Sequence, residues 1–219
     1  CKLNIDPLEF RLINYSDIDK SSEKEYSSKE LRECYLQGAE KFGWAKRNPK
    51  PRSMKRGNKL VGYGMATGIW DANRLFARVE AKISIDGKAT LKSAVTDIGT
   101  GTLTVMSQIA SDELGMDLED ITFSYADSSM PFAPIQGGSF TTARVGAAVQ
   151  TACIALKKKI IKKAASLKDS FVNIAAFDAI IFRNGFLISK KNPQYKIGIK
   201  EILEKLSLQE LKTTNMAMP

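Results

Sequence analysis

The sequence has no histidine and only three cysteines, Cys1, Cys34 and Cys153, none at a short paired spacing. Lack of imidazole removes the commonest general base and metal ligand, and scattered thiols argue against a disulfide framework, a structural zinc site or an iron-sulfur cluster within the chain. Any redox metal would have to arrive on a cofactor or on another chain. No apolar run approaches the ~18 residues of a membrane span, and no signal peptide is visible, so a cytoplasmic location is expected. GxxxxGK[ST], a Gly-x-Ser-x-Gly elbow and a close pair of carboxylates are all missing, which leaves no standard nucleotide loop and no catalytic acid or base to name. The first residue is Cys rather than Met, and the chain is expected to be a piece of something longer.

What is present is enough for a core. The 219 residues are 43% hydrophobic and carry a formal net charge of +9. That charge raises nucleic-acid binding as a reading, but the lysines are spread along the chain and no aromatic-rich recognition motif accompanies them. The densest cluster, Lys157 to Lys159 with Lys162 and Lys163, reads as the solvated face of an amphipathic helix. The acidic run Asp112, Glu113, Asp117, Glu119 and Asp120 reads likewise as a solvated helix end. Cys153, inside AAVQTACIAL, reads as a buried thiol rather than a nucleophile.

Along the chain, residues 1–58 form a helical lead-in and linker, and 59–219 an α+β domain. Ser27-Ser28 can cap a helix through LRECYLQGAEKFGW, with Leu31, Cys34 and Tyr35 on one face. Arg47 to Asn58 reads as a connector. Leu60 to Trp70 reads as a glycine-interrupted strand, its glycines marking a bulge or close backbone packing. RLFARVEAKISIDGKATLKSAVTDI reads as a hairpin turning at Asp86-Gly87. A helix is predicted from about Thr102 to Gly115, with Leu103, Met106, Ile109, Ala110 and Leu114 on one side. A strand comes next within Leu118 to Asp127, then a loop from Ser128 to Ser139 and a second long helix from about Phe140 to Leu167. Ile174 to Ile188 holds a second hairpin turning at Asn184-Gly185. A short helix, Ile199 to Leu206, and a frayed tail complete a mixed α+β pattern with hairpins and two long helices.

Two segments share a form. Gly99-Thr100-Gly101-Thr102 and Gln136-Gly137-Gly138-Ser139-Phe140-Thr141-Thr142 each join glycines and small hydroxyls to a helix start. The first N–H groups of a helix lack intrahelical partners and carry partial positive charge, so either segment could hold a phosphate; either could equally be a plain cap.

The ordered motifs resemble the large, molybdenum-binding subunit of the xanthine dehydrogenase and aldehyde oxidase family. NIDPLEFRLINY is similar to its Asp-Pro-x-x-x-Arg-x-x-Asn segment, and TDIGTGTLTVMSQIASDELGM to its Gly-x-Gly segment and following helix. ITFSYADSSMPFAP is similar to its strand and Asp-(Thr/Ser)-x-x-x-Pro turn, and GGSFTTARVGAAVQTAC to its Ser-rich loop and helix. The likeness covers most of residues 1 to 155 and is loose beyond.

The resemblance implies part of the molybdenum-binding region of a hydroxylase that oxidises an aldehyde or N-heterocycle with oxygen from water. The metal would be held by the dithiolene of molybdopterin, in bacterial members often as the cytosine dinucleotide form. By position, Ile98, Gly99, Thr100, Gly101, Gly137, Gly138, Ser139 and Thr141 would meet that cofactor. Iron-sulfur clusters and FAD would sit on other subunits or domains, and the rest of the large subunit would complete the pocket. Thr100 stands where many members have Gln; members acting on aldehydes can carry Thr. The family's catalytic glutamate, in a late Gly-x-Gly-Glu segment, is not found in these residues, so the chain alone is expected to be inactive. The alternative from the residues themselves is a non-enzymatic binding or scaffold domain whose glycine-rich helix starts are caps only.

Overall fold

The computed structural model describes residues 3–26, 28–70, 75–168, 170–174 and 177–218. Two units emerge, Cys1–Ile69 and Trp70–Pro219.

In the smaller unit, Asp6 and Pro7 start α1 (Pro7–Ile13): Asp6 accepts the Leu8 N–H at 2.7 Å and Pro7 fills a position that needs no donor. Asp6 also accepts from the Trp44 indole at 3.2 Å and pairs with Arg47. Desolvation alone would raise its pKa, but these donors outweigh it and hold the carboxyl below its usual value. Short antiparallel pairs, β1 (Ile18–Asp19) with β2 (Lys24–Glu25) and β3 (Lys55–Arg56) with β4 (Lys59–Leu60), flank α2 (Leu31–Phe42).

Three expectations fail here. The N-cap of α2 is Glu30, with no side-chain cap bond; Ser28 does not cap it, and Ser27 lies outside the described residues. Cys34 is exposed while Leu31, Tyr35 and Ala39 share the half-buried face. Residues 61–70 form no strand. Among the described residues, a Cβ placed at Gly62, Gly64 or Gly68 would meet nothing within 4 Å, so no close packing is seen at these glycines. Side chains hold the segment instead: Thr67 Oγ1 meets the Arg11 guanidinium at 3.2 Å and the Tyr35 hydroxyl at 2.5 Å.

The larger unit is built on β5 (Ala77–Ser84), β6 (Ala89–Lys92) and β7 (Ile121–Ser124), with α3 (Thr102–Leu114) crossing over between the parallel pair β6 and β7. The Asp86-Gly87 turn forms as expected, with the Gly87 N–H on the Ser84 carbonyl at 2.9 Å. Alternation along β5 sends Ala77, Val79, Ala81 and Ile83 inward, against Met106, Ala110 and Leu114 of α3 and against α4 (Ala147–Ala165). Leu156 and Ile160 of α4 are fully buried, and each such side chain stabilises the fold by about 1.5–3 kcal/mol. The opposite sheet face is polar and laced by Lys92–Glu80 and Lys82–Glu210 ion pairs.

A meander of β8 (Ile180–Arg183), β9 (Phe186–Ser189) and β10 (Lys196–Gly198) leads into α5 (Ile199–Lys205). The Asn184-Gly185 turn has positive φ at both residues, 48° and 74°, as a two-residue hairpin requires. The α+β class with hairpins and two long helices therefore holds.

The frayed tail does not. Residues Glu210–Ala217 are β11, paired antiparallel to β5 along its whole length, and the sheet runs β11-β5-β6-β7. Thr213 and Asn215 stand on the inward positions between Leu211 and Ala217, which hides the period of two from a hydrophobic scan. Leu103, expected on the inner side of α3, is exposed. Lys157 and Glu113, both expected in solvent, pair across α3 and α4 at 2.7 Å and are largely buried. Cys153 is buried as expected; that burial, with Glu113 adding to it, pushes the thiol up to about 12. Among the described residues no helix is long and apolar enough to cross a membrane.

Candidate functional site

β6 ends at Lys92, and the chain continues extended, with the Ala126 N–H on the Val95 carbonyl at 2.8 Å, before it reaches Asp97. The Asp97 carboxylate organises the turn into α3. It accepts the N–H groups of Gly99 at 2.8 Å, Thr100 at 2.9 Å and Thr102 at 2.8 Å. Desolvation pulls its pKa upward, the Gly99, Thr102 and Thr100 amides pull harder, and the result lies below the usual value. The first glycine knot thus carries its own anion. The Thr102 hydroxyl is buried and, among the described residues, has no hydrogen-bond partner.

The second segment is reached along a strand-like run. Ala94 donates to the Pro131 carbonyl and Arg78 to that of Phe132, both at 2.8 Å, while the Phe76 and Phe132 rings stack 5.1 Å apart. Gly138 and Ser139 then both take positive φ, 62° and 61°. For Ser139 this is an uncommon conformation, and a Cβ on Gly138 would drive into the Phe140 ring. Helical turns begin as a π-helix over Thr142–Gly146 and tighten to α at Ala147. Arg144 is buried beneath this loop, its guanidinium 3.5 Å from the Ile135 carbonyl and 4.3 Å from the Phe140 ring centroid.

The two segments meet. A cavity of about 420 Å³ is lined by Ile98 and Thr100 from the first and by Gly137, Gly138, Ser139 and Thr141 from the second. Gly99 and Gly101 are not on its wall. Thr96 ties the segments together, its hydroxyl on the Gln136 side-chain oxygen at 2.5 Å. Trp70, Gln136 and Thr142 complete the lining.

Gln136 and Thr142 were named in the second segment but not expected at the cofactor, and sequence reasoning passed over Trp70, Asp97, Thr96 and Arg144. Asp97 had a signal: an Asp two residues before a Gly is the start of a turn in which the carboxylate takes following N–H groups. Trp70 had none, since nothing local joins it to a loop 68 residues away.

The donor set suits a phosphate-bearing heterocycle on one side only. Ser139, Thr141 and Thr142 offer hydroxyls, Gln136 an amide, and Trp70 and Ile98 apolar surface, in a volume typical of a small-molecule site. The amides at residues 99, 100 and 102 are already engaged by Asp97, so that side supplies wall rather than an open anion nest. Among the described residues the lining contains no titratable side chain. A separate hollow of about 260 Å³ sets Asp86, Asp117 and Asp120 against Lys200, a net negative lining that disfavours phosphate. Among the described residues, no group of three or more His, Cys, Asp or Glu could hold a metal.

Comparison with known proteins gives the same direction. The family model for the molybdopterin cofactor-binding domain matches residues 37–216. The aldehyde oxidoreductase molybdenum-binding subunit PaoC of Escherichia coli O157:H7 is 36% identical over 162 residues, covering 73% of this chain and 22% of that protein. The xanthine dehydrogenase molybdenum-binding subunit of the same organism is 32% identical over 183 residues, 78% of this chain and 24% of that protein. The chain therefore spans less than a quarter of the length of these curated relatives. In fold, the reconstituted CO dehydrogenase from Oligotropha carboxidovorans superposes with a TM-score of 0.76 at 20% identity, covering 100% of this chain and 30% of that one.

Proposed function

Because this chain belongs to the molybdopterin cofactor-binding domain family, we propose that it supplies cofactor-binding loops to a molybdenum-dependent hydroxylase of the aldehyde oxidase and xanthine dehydrogenase type. The observation that carries this is the convergence of Ile98 and Thr100 with Gly137, Gly138, Ser139 and Thr141 on one cavity. Of the residues expected at the cofactor, these six line the cavity, and Gly99 and Gly101 serve it by shaping the turn around Asp97. Ser139, Thr141 and Thr142 would hold the phosphate, and Ile98, Thr100 and Trp70 the ring system.

When bound, molybdopterin supplies the molybdenum at which an aldehyde or N-heterocycle is hydroxylated with oxygen from water. The chain's own part is to bind and orient. Among the described residues the cavity wall offers no acid or base, so a general base would come from elsewhere in the assembled enzyme, and the chain alone would be inactive. Iron-sulfur and FAD subunits or domains, in the cytoplasm, would take the electrons onward. The reading assigns the binding to 59–219, with 1–58 as its lead-in; the compact unit that holds the cavity residues begins at Trp70.

The Asp97 cap favours the scaffold reading for the first helix start taken alone, but it gives no account of the hydroxyl-rich second loop. The full chain, produced in a host that makes molybdopterin, is expected to retain pterin, read as fluorescence of its oxidised form, together with molybdenum read by mass spectrometry. A chain that is well folded and carries neither would sink the reading.

A further inference from the structure

Trp70 is one of two tryptophans in the sequence, and its environment is unlike that of the other. Trp44 is buried at 7% exposure, whereas Trp70 is 72% exposed. Yet Trp70 is not loose. Its indole N–H donates to the Gly138 carbonyl at 2.6 Å, and its side chain stands on the wall of the 420 Å³ cavity. An indole fixed by its polar edge offers a rigid aromatic face at little entropic cost, and a large apolar face left in water at a cavity mouth suits a flat ligand ring. Ile98, on the same wall, is 73% exposed and adds apolar surface. The carbonyl that Trp70 holds belongs to Gly138, the residue whose positive φ aims Ser139 and the hydroxyls after it.

We infer that Trp70 is a positioning and binding residue with two jobs: its N–H latches the Gly138 loop in its hydroxyl-presenting form, and its ring is the platform for the conjugated heterocycle of a phosphate-bearing cofactor. This rests on the reading of the cavity as a molybdopterin pocket. It adds a contact from outside both glycine-rich segments, and it separates ring recognition from phosphate recognition, which falls to Ser139, Thr141 and Thr142.

The test uses the full chain from two hosts, one that makes molybdopterin and one that cannot. With excitation confined to tryptophan, the iodide-quenchable fluorescence belongs to Trp70, because Trp44 is buried. Quenching is expected to fall several-fold in the loaded protein. Trp70→Ala should lower retained pterin roughly tenfold, the equivalent of about 1.4 kcal/mol, and Trp70→Phe, which keeps a ring but loses the donor, should lie between. Since the ring is largely exposed, both variants should keep the circular dichroism of the parent. Equal quenching in loaded and empty protein, or full pterin in Trp70→Ala, overturns this inference alone. A wild-type chain without pterin overturns it together with the pocket reading.

Discussion

The two glycine-rich helix starts look alike in composition and differ in chemistry. At residues 97–102 a carboxylate already occupies the amides, so the turn is complete in itself. At 136–142 the backbone is bent into two successive positive-φ residues, backed by a buried guanidinium and bounded by hydroxyls that face a cavity. The lesson is that a glycine before a helix says only that the backbone can come close to something. Which side chain stands two or five residues away decides whether that something is the protein or a ligand.

Three substitutions would break or sharpen this contrast. The largest effect is expected at Arg144, which has no counterpart in the first segment. Arg144→Ala removes the support of the second loop and should cost about 2 kcal/mol, lowering the melting temperature of the larger unit by roughly 4–8 °C. A calorimetric scan that leaves this unit unmoved would show that the loop stands without its cation.

Asp97→Ala comes next. It leaves the amides of Gly99, Thr100 and Thr102 without their acceptor and should lower the melting temperature by roughly 2–4 °C. Exchange of those amides with deuterium should quicken. Because the folded pKa of Asp97 is depressed, its contribution is present above the ordinary carboxylate range and is lost as pH falls through its folded value. The gap between wild type and variant should therefore be constant between about pH 5 and 8 and close below about pH 4. A gap that widened in acid would refute the assignment. Freed of Asp97, this helix start should also gain affinity for sulfate relative to the wild-type turn, whose amides the carboxylate occupies.

The smallest effect belongs to the tie between the segments. Thr96 is exposed, and Thr96→Val removes its bond to Gln136 at a cost of about 0.5 kcal/mol. Its signature should be greater mobility of residues 136–142, read by NMR relaxation, with α3 untouched. Loss of order in α3 as well would mean that the two segments fold as one.

Much of this architecture was legible because local rules and packing agreed. Alternation along β5 and β6, the Asp-Gly and Asn-Gly turns and the helical spacing of α3 each named their element correctly. The failures have a common cause, which is that the deciding partner was distant in sequence. Leu60 to Trp70 looks like a strand until one asks which strand would pair with it. Lys157 and Glu113 each look solvated until α3 and α4 are laid side by side. At the cavity, the glycines and hydroxyls were readable from local composition. Trp70 and the Thr96–Gln136 tie were not, because they exist only once separate loops converge.

The strand β11 carries a consequence for how the molecule comes into being. Strand β5 lies at the centre of the sheet, yet its neighbour on one side is encoded well over a hundred residues later. During synthesis β5 can pair with β6 almost at once, across a short turn, while its other edge stays open for as long as the ribosome needs to reach Glu210. Loop closure over that distance is slow, and an eight-residue open edge is an invitation to other chains. The larger unit is thus a late finisher: its sheet closes only once Glu210–Ala217 has left the ribosome, and a nascent protein stalled before that point would present a chaperone with a bare β5.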